Sequence, residues 1–482
     1  MVYIPTKSSA EVVKIPKNQV PEGDLVLTLH SELTNQTYTF NVTDEGTFKR
    51  FYKFTLDLAH IPDGEYTYNI NGSEEGLLRL GDISETVPET IMYNASLEVI
   101  QYTGYNITPE PIYSAMPLTL EVLSAGTFVF NVPVEVSFDG NEWIESGIIN
   151  VVAGDELQVR KDERYRIVGM PLLLDGPAFN VKGNIMSLAY PTDYVTATTI
   201  PEDLQFAYLF SDCISLISAE NLVLQATELK YYCYKSMFWQ CVNLKKAPKL
   251  PATTLASMCY YNMFYGCTSL TTAPELPATT LANICYSHMF ENCTSLTTAP
   301  ELPATTLADN CYISMFQGCT SLTEAPELPA TTLASTCYYE MFRDCTNLTT
   351  APALPATTLA SECYREMFRG CTSLTQVPST LPATTLTDYC YQAMFSGCTS
   401  LTTAPVLPAT TLVNHCYQFM FQGCTSLNYI KCLATDISAN SCTNFWVSGV
   451  AASGTFVKNA SMSSWRTGSS NGIPRNWTVE EE

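Results

Sequence analysis

The phrase Leu250-Pro251-Ala252-Thr253-Thr254-Leu255 decides the fold, because the chain repeats it. Full copies occupy residues 276–281, 302–307, 328–333, 354–359, 381–386 and 407–412, and a looser copy occupies residues 224–229. Successive full copies lie 26 residues apart, except for one step of 27 in which Ser379 and Thr380 lengthen the connection. A fixed period of roughly 20–50 residues is typical of a solenoid, in which each repeat buries its apolar side against its neighbours.

A second constant phrase lies between the copies and carries most of the apolar residues. In one repeat, Leu255, Cys259 and Met263 stand four residues apart, a spacing that favours one face of an α-helix. Residues 269–273 are rich in threonine and are cut off by Pro274, which favours a short β-strand. We therefore predict one helix and one strand per repeat, an α/β solenoid over residues 191–445, and a C-terminal cap in residues 446–482 with a strand near residues 455–457.

All 19 cysteines lie between Cys213 and Cys442, and the repeats carry them in pairs eight residues apart, such as Cys259 with Cys267. Zinc sites use a C-x₂₋₄-C spacing, so this pattern predicts no metal site, and no other motif predicts a cofactor. We interpret the cysteines as buried, reduced apolar residues. Equivalent cysteines on stacked repeats would lie about 5 Å apart, so disulfide bonds remain open as an alternative.

The first 212 residues contain no cysteine and follow a β pattern. Apolar residues alternate with polar ones in residues 25–29, 38–42, 52–58 and 66–70, which predicts an antiparallel β-sandwich of immunoglobulin-like outline over residues 1–82. Residues 83–111 are predicted to be a linker or arm. Residues 112–190 are predicted to form a second small β-sandwich, in which residues 134–138 and Trp143 form a hairpin around Asp139-Gly140-Asn141-Glu142. The prediction is a multidomain chain of two β-sandwiches followed by the solenoid.

The net charge of −23 bears on the partners of the protein. A chain this acidic is repelled by phosphate backbones and anionic lipid surfaces, so we expect no nucleic-acid partner. No run of 18 apolar residues appears, so we expect no membrane insertion. The first residues have no apolar signal-peptide region, so we expect that the usual export signal is not used.

Candidate catalytic residues are sparse. The four histidines, His30, His60, His288 and His415, fall in separate parts of the chain. Cys416 follows His415 directly, but it occupies the core cysteine position of its repeat, and adjacency in sequence does not give a catalytic geometry. The chain lacks the P-loop, G-x-G-x-x-G, G-x-S-x-G and H-E-x-x-H motifs. We therefore expect a protein that is not an enzyme.

The informative contrast is between the positions that the copies keep and those that they change. The leucine, cysteine, methionine and phenylalanine positions hardly vary, as a shared core requires, whereas the positions between them vary freely. Candidate partner-contact residues at the varied positions are Tyr261, Tyr265, His288, Glu291, Gln317, Tyr339, Arg343, Arg365 and Arg369. Two interpretations stay open, a diversified recognition face or unconstrained drift on a solvated face. The threonines near residues 271–272 and their equivalents could bind glycans, although β-propensity explains them as well.

The constant phrase is similar to the BspA-like, or Treponema-type, leucine-rich repeat, whose core reads Ala-Phe-x-x-Cys-x-x-Leu. Phe264, Cys267 and Leu270 match that core, as do their equivalents in each copy. Residues 454–457 and 477–479 resemble the end caps of such proteins from gut anaerobes. The resemblance covers a little over half of the chain, and it implies a leucine-rich solenoid used for surface adhesion and recognition.

The N-terminal β domains, together with residues 3–5 and 14–16, resemble virion appendage proteins of crAss-like gut phages. This resemblance implies a phage virion structural protein, a head or tail fibre or decoration that is made in the host cytoplasm. The β domains would bind other virion proteins, and the repeats would face outward toward a host surface protein or glycan. The resemblance also implies a homo-oligomer, with a trimer as the first expectation. The alternative is a bacterial cell-surface leucine-rich adhesin.

Overall fold

The computed structural model divides the chain into two compact units, residues 1–112 and residues 113–482, which are considered separately. In the first unit it describes residues 2–4, 11–16, 25–31, 36–42, 51–56, 64–70 and 74–80, and in the second it describes residues 113–161, 167–463 and 465–482.

The described part of the first unit consists of β-strands: β1 Val2–Ile4, β2 Glu11–Pro16, β3 Leu25–Ser31, β4 Gln36–Val42, β5 Phe51–Leu56, β6 Gly64–Ile70 and β7 Glu74–Leu80. They form a five-stranded sheet in the order β1-β7-β6-β3-β4 and an antiparallel β2-β5 pair. The alternating segments predicted the four strands β3 to β6, and this is confirmed. The sandwich itself stays a prediction, and the predicted linker at residues 83–111 lies outside the described residues.

The second unit begins with a single seven-stranded sheet, here called the cap sheet. Its strands are β8 Leu118–Val122, β9 Gly126–Ser137, β10 Ile144–Val151, β11 Glu156–Arg160, β12 Leu173–Asp175, β13 Phe179–Asn184 and β14 Leu216–Val223. The order is β10-β9-β11-β8-β13-β14, with β12 beside β9. Strands β9 and β10 form the predicted antiparallel hairpin. Short 3₁₀ helices at Tyr113–Ala115 and Ile185–Leu188 flank the sheet.

The cap sheet is continuous with the repeats. Strand β13 pairs in parallel with β14, and Ser218 of β14 forms a parallel bridge with Lys246 of the next coil. The buried residues of the sheet, among them Leu118 and Phe128, belong to one contiguous apolar core that extends through the repeats to Trp477. Between residues 113 and 223 the described chain forms one sheet and not two, because the first coils share the core that a second sheet would have provided.

The segment predicted as a helix in each repeat is a series of tight turns, here called the turn stack: residues 256–267 and their equivalents in the other coils. No α-helix occurs among the described residues, so the helix prediction, and with it the α/β class, is wrong for the repeats. Met258, Asn262 and Gly266 have φ values of 58°, 57° and 71°, in the left-handed region. A right-handed helix needs φ near −63° at every residue, so a left-handed residue at every fourth position excludes it.

Hydrogen bonds explain why this backbone is stable. The N–H groups of the odd-numbered residues from 259 to 267 donate to the carbonyl three residues earlier, at 3.1–3.3 Å. The N–H groups of the even-numbered residues from 258 to 266 donate to carbonyls of the next coil, at 2.8–3.1 Å. Alternate peptide groups therefore bond within a coil and along the solenoid axis, which satisfies the backbone polar groups as a strand ladder would.

The predicted strand at residues 269–273 is reduced to isolated contacts. Thr272 bridges Thr298 of the next coil, and Thr280 bridges Thr306, both in parallel. Full parallel strands return only at the end of the chain, where β15 Tyr429–Cys432, β16 Thr455–Lys458 and β17 Thr478–Glu481 form a three-stranded sheet. Strand β16 confirms the strand predicted in the C-terminal cap.

The core of the solenoid consists of columns of identical side chains. Tyr260 stacks on Tyr286 at a centroid distance of 5.7 Å, and Phe264 stacks on Phe290 at 5.5 Å with the rings 1° from parallel. The cysteines of the repeats are free and buried, which confirms their interpretation as apolar core residues. The structure describes all 19 cysteines as free, so it contains no disulfide.

Candidate recognition surface

The turn stack alternates pairs of buried residues with pairs that reach the surface. Cys259 and Tyr260 are buried, Tyr261 and Asn262 are partly exposed, and the next pair is buried again. The varied positions of all coils therefore form one surface along the solenoid, here called the turn face. It contains all nine candidate contact residues, and it divides into three zones of different chemistry.

The first zone is aromatic. The ammonium group of Lys235 lies 4.5 Å from the ring centre of Tyr232, 5.4 Å from that of Tyr208 and 5.5 Å from that of Tyr261. The ring quadrupoles attract the cation, so these three coils are tied together at the surface. Trp239 stacks on Tyr265 at 6.1 Å next to this group.

Sequence comparison found Tyr261 and Tyr265 in this zone but missed Tyr208, Lys235 and Trp239. The first coil is irregular, and its Phe206 stacks on Tyr234 at a separation of 28 residues instead of 26. Shifting the alignment by two residues places Tyr208 in the column of Asn262. The available sequence signal was the match of residues 206–213 to the Tyr-x-x-Met-Phe-x-x-Cys phrase, which gives this alignment.

The second zone is ionic, and its charges are paired within the protein. Arg365 contacts Glu362 at 2.8 Å and Glu366 at 3.6 Å, and Arg369 contacts Glu366 at 2.7 Å. Arg343 pairs with Glu340 and lies 3.7 Å from Glu366 of the next coil. The three candidate arginines thus belong to one network across neighbouring coils.

The four remaining candidates are Tyr339, His288, Glu291 and Gln317. Tyr339 lies under Arg365, with the guanidinium 5.2 Å from the ring centre. Burial raises the pKa of Tyr339 to about 12, and the neighbouring Glu340 adds to the shift. His288 contacts Glu291 at 2.6 Å and packs its ring against Tyr261 at 5.6 Å. Gln317 occupies the position of Glu291 in the following coil and is partly exposed.

The third zone carries aromatic rings and amides without ion pairs among its described residues. Tyr389 stacks on His415 at 4.5 Å, and Phe419 stacks on the exposed Phe445 at 5.9 Å. Gln392 donates a hydrogen bond to the side chain of Gln418 at 2.5 Å. None of these residues was among the candidates, because the candidates were chosen from the coils up to Arg369.

The cysteines form two columns with different environments. Cys293 Sγ donates to the carbonyl of Phe264 in the preceding coil at 3.1 Å, and Cys267, Cys319 and Cys345 make the same contact in their coils. Cys285 represents the other column, and burial raises the pKa of its thiol to about 12. Thiols held protonated in this way are poor nucleophiles and poor metal ligands.

Within the described residues, no group of three or more histidine, cysteine, aspartate or glutamate side chains is arranged to hold a metal ion. The described residues also include no helix long and apolar enough to cross a membrane. His288 and His415 lie in different zones of the turn face, and the side chains that hydrogen-bond to their rings are Glu291 and Gln418.

A family model described as the BspA type leucine-rich repeat region matches six copies, over residues 185–323, 233–367 and 340–453, which together span more than half of the chain. Among solved structures, a leucine-rich repeat protein from Bacteroides ovatus is similar at 13% identity, over 73% of this chain and 98% of that one, with a TM-score of 0.20. A superposition at that TM-score supports no structural argument. No curated protein sequence matches the chain.

Proposed function

The chain belongs to the BspA-type leucine-rich repeat family, and we propose that it is a non-catalytic recognition protein whose turn face binds a ligand on a cell surface. The observation that supports this proposal is the division between fixed and varied positions. The core columns keep their residue type from coil to coil, whereas the turn face changes from aromatic to ionic to amide-rich within one array.

Drift on a solvated surface would scatter residue types without regard to their neighbours. On the turn face, neighbouring coils carry residues that contact each other, as Lys235 with its three tyrosines and Arg343 with Glu366 do. These contacts fix side chains at the surface before a partner arrives, which lowers the entropy cost of binding. Large aromatic and arginine side chains also dominate the energetics of protein recognition.

The finer proposal places the protein in a phage virion, as a head or tail fibre or decoration. The first unit would dock on other virion proteins, a homo-oligomer with a trimer as the first expectation would form, and the repeats would present the turn face to a host surface protein or glycan. With a net charge of −23, nucleic acid is not the proposed partner. A bacterial cell-surface adhesin is the alternative, and the turn face would serve the same purpose there.

Cell binding tests the proposed surface. We expect fluorescently labelled protein to bind candidate host bacteria, and a variant with Tyr261→Ala, His288→Ala, Arg343→Ala and Arg365→Ala to bind about tenfold or more weakly, because it loses contacts in two zones. The matched control carries Thr279→Ala, Thr305→Ala, Thr331→Ala and Thr357→Ala, on exposed residues outside the turn face. Equal binding by the fourfold turn-face variant and the unmodified protein would refute the proposal.

Mass spectrometry separates the two proposed locations. We expect peptides of this protein in purified virions of a phage that carries its gene. Their detection only in the cell-surface fraction of the bacterium would favour the adhesin instead.

A further inference from the structure

The one long coil departs from the regular outline of the solenoid. Where residues 297–302 read Thr-Thr-Ala-Pro-Glu-Leu, residues 375–381 read Thr-Gln-Val-Pro-Ser-Thr-Leu, with one residue more. The longer connection is held on both sides. Ala351 N–H donates to the carbonyl of Gln376 at 2.9 Å, and Val406 N–H donates to the carbonyl of Ser379 at 2.9 Å. Between this connection and the preceding coil lies an open cleft of about 500 Å³.

The lining of the cleft mixes apolar groups with neutral polar groups. Rings of four prolines line it: Pro352, Pro355, Pro378 and Pro382. Gln376, Ser379 and Thr380 contribute an amide and two hydroxyl groups. None of the lining residues is charged, although the chain as a whole carries a net charge of −23.

The missing charge results from two changes at one position of the repeat. The three preceding coils carry Glu275, Glu301 and Glu327 directly before the leucine that begins the Leu-Pro-Ala-Thr-Thr-Leu phrase. The next coil has Ala353 there, and the long coil has Ser379 and Thr380. The coil after the long one also lacks the glutamate, with Val406 there, so the cleft forms where three successive coils lack this charge and one of them is longer.

We propose that this cleft is a binding site for a neutral saccharide. The volume lies within the range of small-ligand sites, and because the cleft is open, a ligand would rest against it with one side in solvent. Pro352 is buried, so the C–H face of a pyranose ring would pack on the rings of Pro355, Pro378 and Pro382. The sugar hydroxyl groups would exchange hydrogen bonds with Gln376, Ser379 and Thr380. A charged ligand would lose hydration without gaining a counter-charge, which disfavours it.

The residues of the cleft lie outside the turn face, so the proposal is independent of the function proposed above. Its test uses the full chain on a microarray of neutral and sialylated oligosaccharides, with a proline-rich peptide spotted as a further probe. We expect at least one neutral oligosaccharide to bind, and titration calorimetry with that saccharide to give its affinity. Binding only to sialylated probes, only to the peptide, or to nothing would overturn the proposal.

Two variants connect binding to the cleft. The first replaces residues 376–380 with Thr-Ala-Pro-Glu, the segment at residues 298–301, and so restores a regular coil. The second, Thr380→Glu, keeps the length and adds a charge; its matched control is Thr357→Glu, at an exposed threonine that does not line the cleft. We expect about tenfold weaker saccharide binding for either cleft variant and unchanged binding for the control. If the first variant does not fold, Thr380→Glu decides, and undiminished binding by it overturns the proposal.

Discussion

The cap sheet and the turn stack both join neighbouring chain segments by backbone hydrogen bonds, yet their backbones differ. In the cap sheet, extended strands pair along their length, and among the described residues before Leu204 only glycines, such as Gly140 and Gly154 in turns, have left-handed φ. In the turn stack every fourth residue is left-handed, and most of these residues are not glycine.

The difference shows what stacking does for a backbone. A left-handed conformation costs an isolated L-residue roughly 1–2 kcal/mol. In the turn stack that cost is offset because each N–H that is not used inside a coil finds a carbonyl in the next one, and the core columns fix the register. The cap sheet has no such repetition around its loops, so it places glycine where the chain turns.

The largest expected difference between the two regions is their response to alkaline pH. Burial raises the pKa of Cys285 and Cys363 to about 12 and that of Tyr260 and Tyr286 well above the usual value. The strands of the cap sheet contain neither cysteine nor tyrosine. Above pH 9 the unfolded chain loses thiol protons that the folded chain keeps, so stability is complete below that pH and falls as the pH rises toward 12.

Each fully buried group costs about 1.4 kcal/mol of stability per pH unit in that range, and the repeats contain many such groups. We expect the urea midpoint to fall steeply between pH 9 and pH 10, because the buried thiols that begin to titrate there lie in the repeats. Urea unfolding monitored by circular dichroism at each pH measures it. The change in the urea midpoint between pH 7 and pH 6 is the control. A change of similar size there would contradict the explanation.

A smaller effect separates the two cysteine columns. Serine at position 293 can still donate to the carbonyl of Phe264, whereas Cys285 has no acceptor for its thiol among the described residues. An unsatisfied buried hydroxyl costs about 1–3 kcal/mol. We therefore expect Cys285→Ser to lower the free energy of unfolding by about 2 kcal/mol more than Cys293→Ser does, measured by urea denaturation at pH 7. Equal losses would mean that the thiol contact contributes nothing.

The smallest expected effect concerns the left-handed backbone itself. Ile284 has φ 60°, an unfavourable value for a β-branched residue, whereas Ile313 on the next coil is not left-handed. Both side chains are partly exposed. We expect Ile284→Asn to stabilise the protein by about 1 kcal/mol, because asparagine tolerates this conformation, and Ile313→Asn to be neutral or slightly destabilising. Thermal denaturation of both variants decides, and a lower melting temperature for Ile284→Asn would contradict the role of backbone strain.

Much of the solenoid could be predicted from sequence, because stacking forces equivalent residues into the same environment. The repeat length identified the solenoid, and the constant leucine, cysteine, methionine and phenylalanine positions identified its core, although the buried tyrosine column of Tyr260 and its equivalents was not predicted. The helix was predicted wrongly because Leu255, Cys259 and Met263 are four apart both in a helix and in consecutive turns. A helix would have drifted at 3.6 residues per turn, while the buried pairs recur strictly at four. The glycine, asparagine or aspartate at positions such as Gly266, Asn292 and Asp344 was a further signal for left-handed turns.

The candidate surface was less accessible to sequence reasoning. The variation between copies indicated which positions reach the surface, but contacts between coils join residues 23 to 28 positions apart. The contact of Arg343 with Glu366, or of Lys235 with Tyr261, depends on how the coils are stacked. The structure is therefore needed to show which residues of neighbouring coils contact each other.

The hydrogen bonds that run from coil to coil also determine how the protein responds to a mechanical load. A pull between the two ends of the repeat array acts on these bonds in series, so it opens one coil boundary at a time and does not shear them all together. Each released coil of 26 residues adds roughly 90 Å of extended chain. Under tension the array lengthens in discrete steps and absorbs work at each step. The coils that remain folded keep their surface intact.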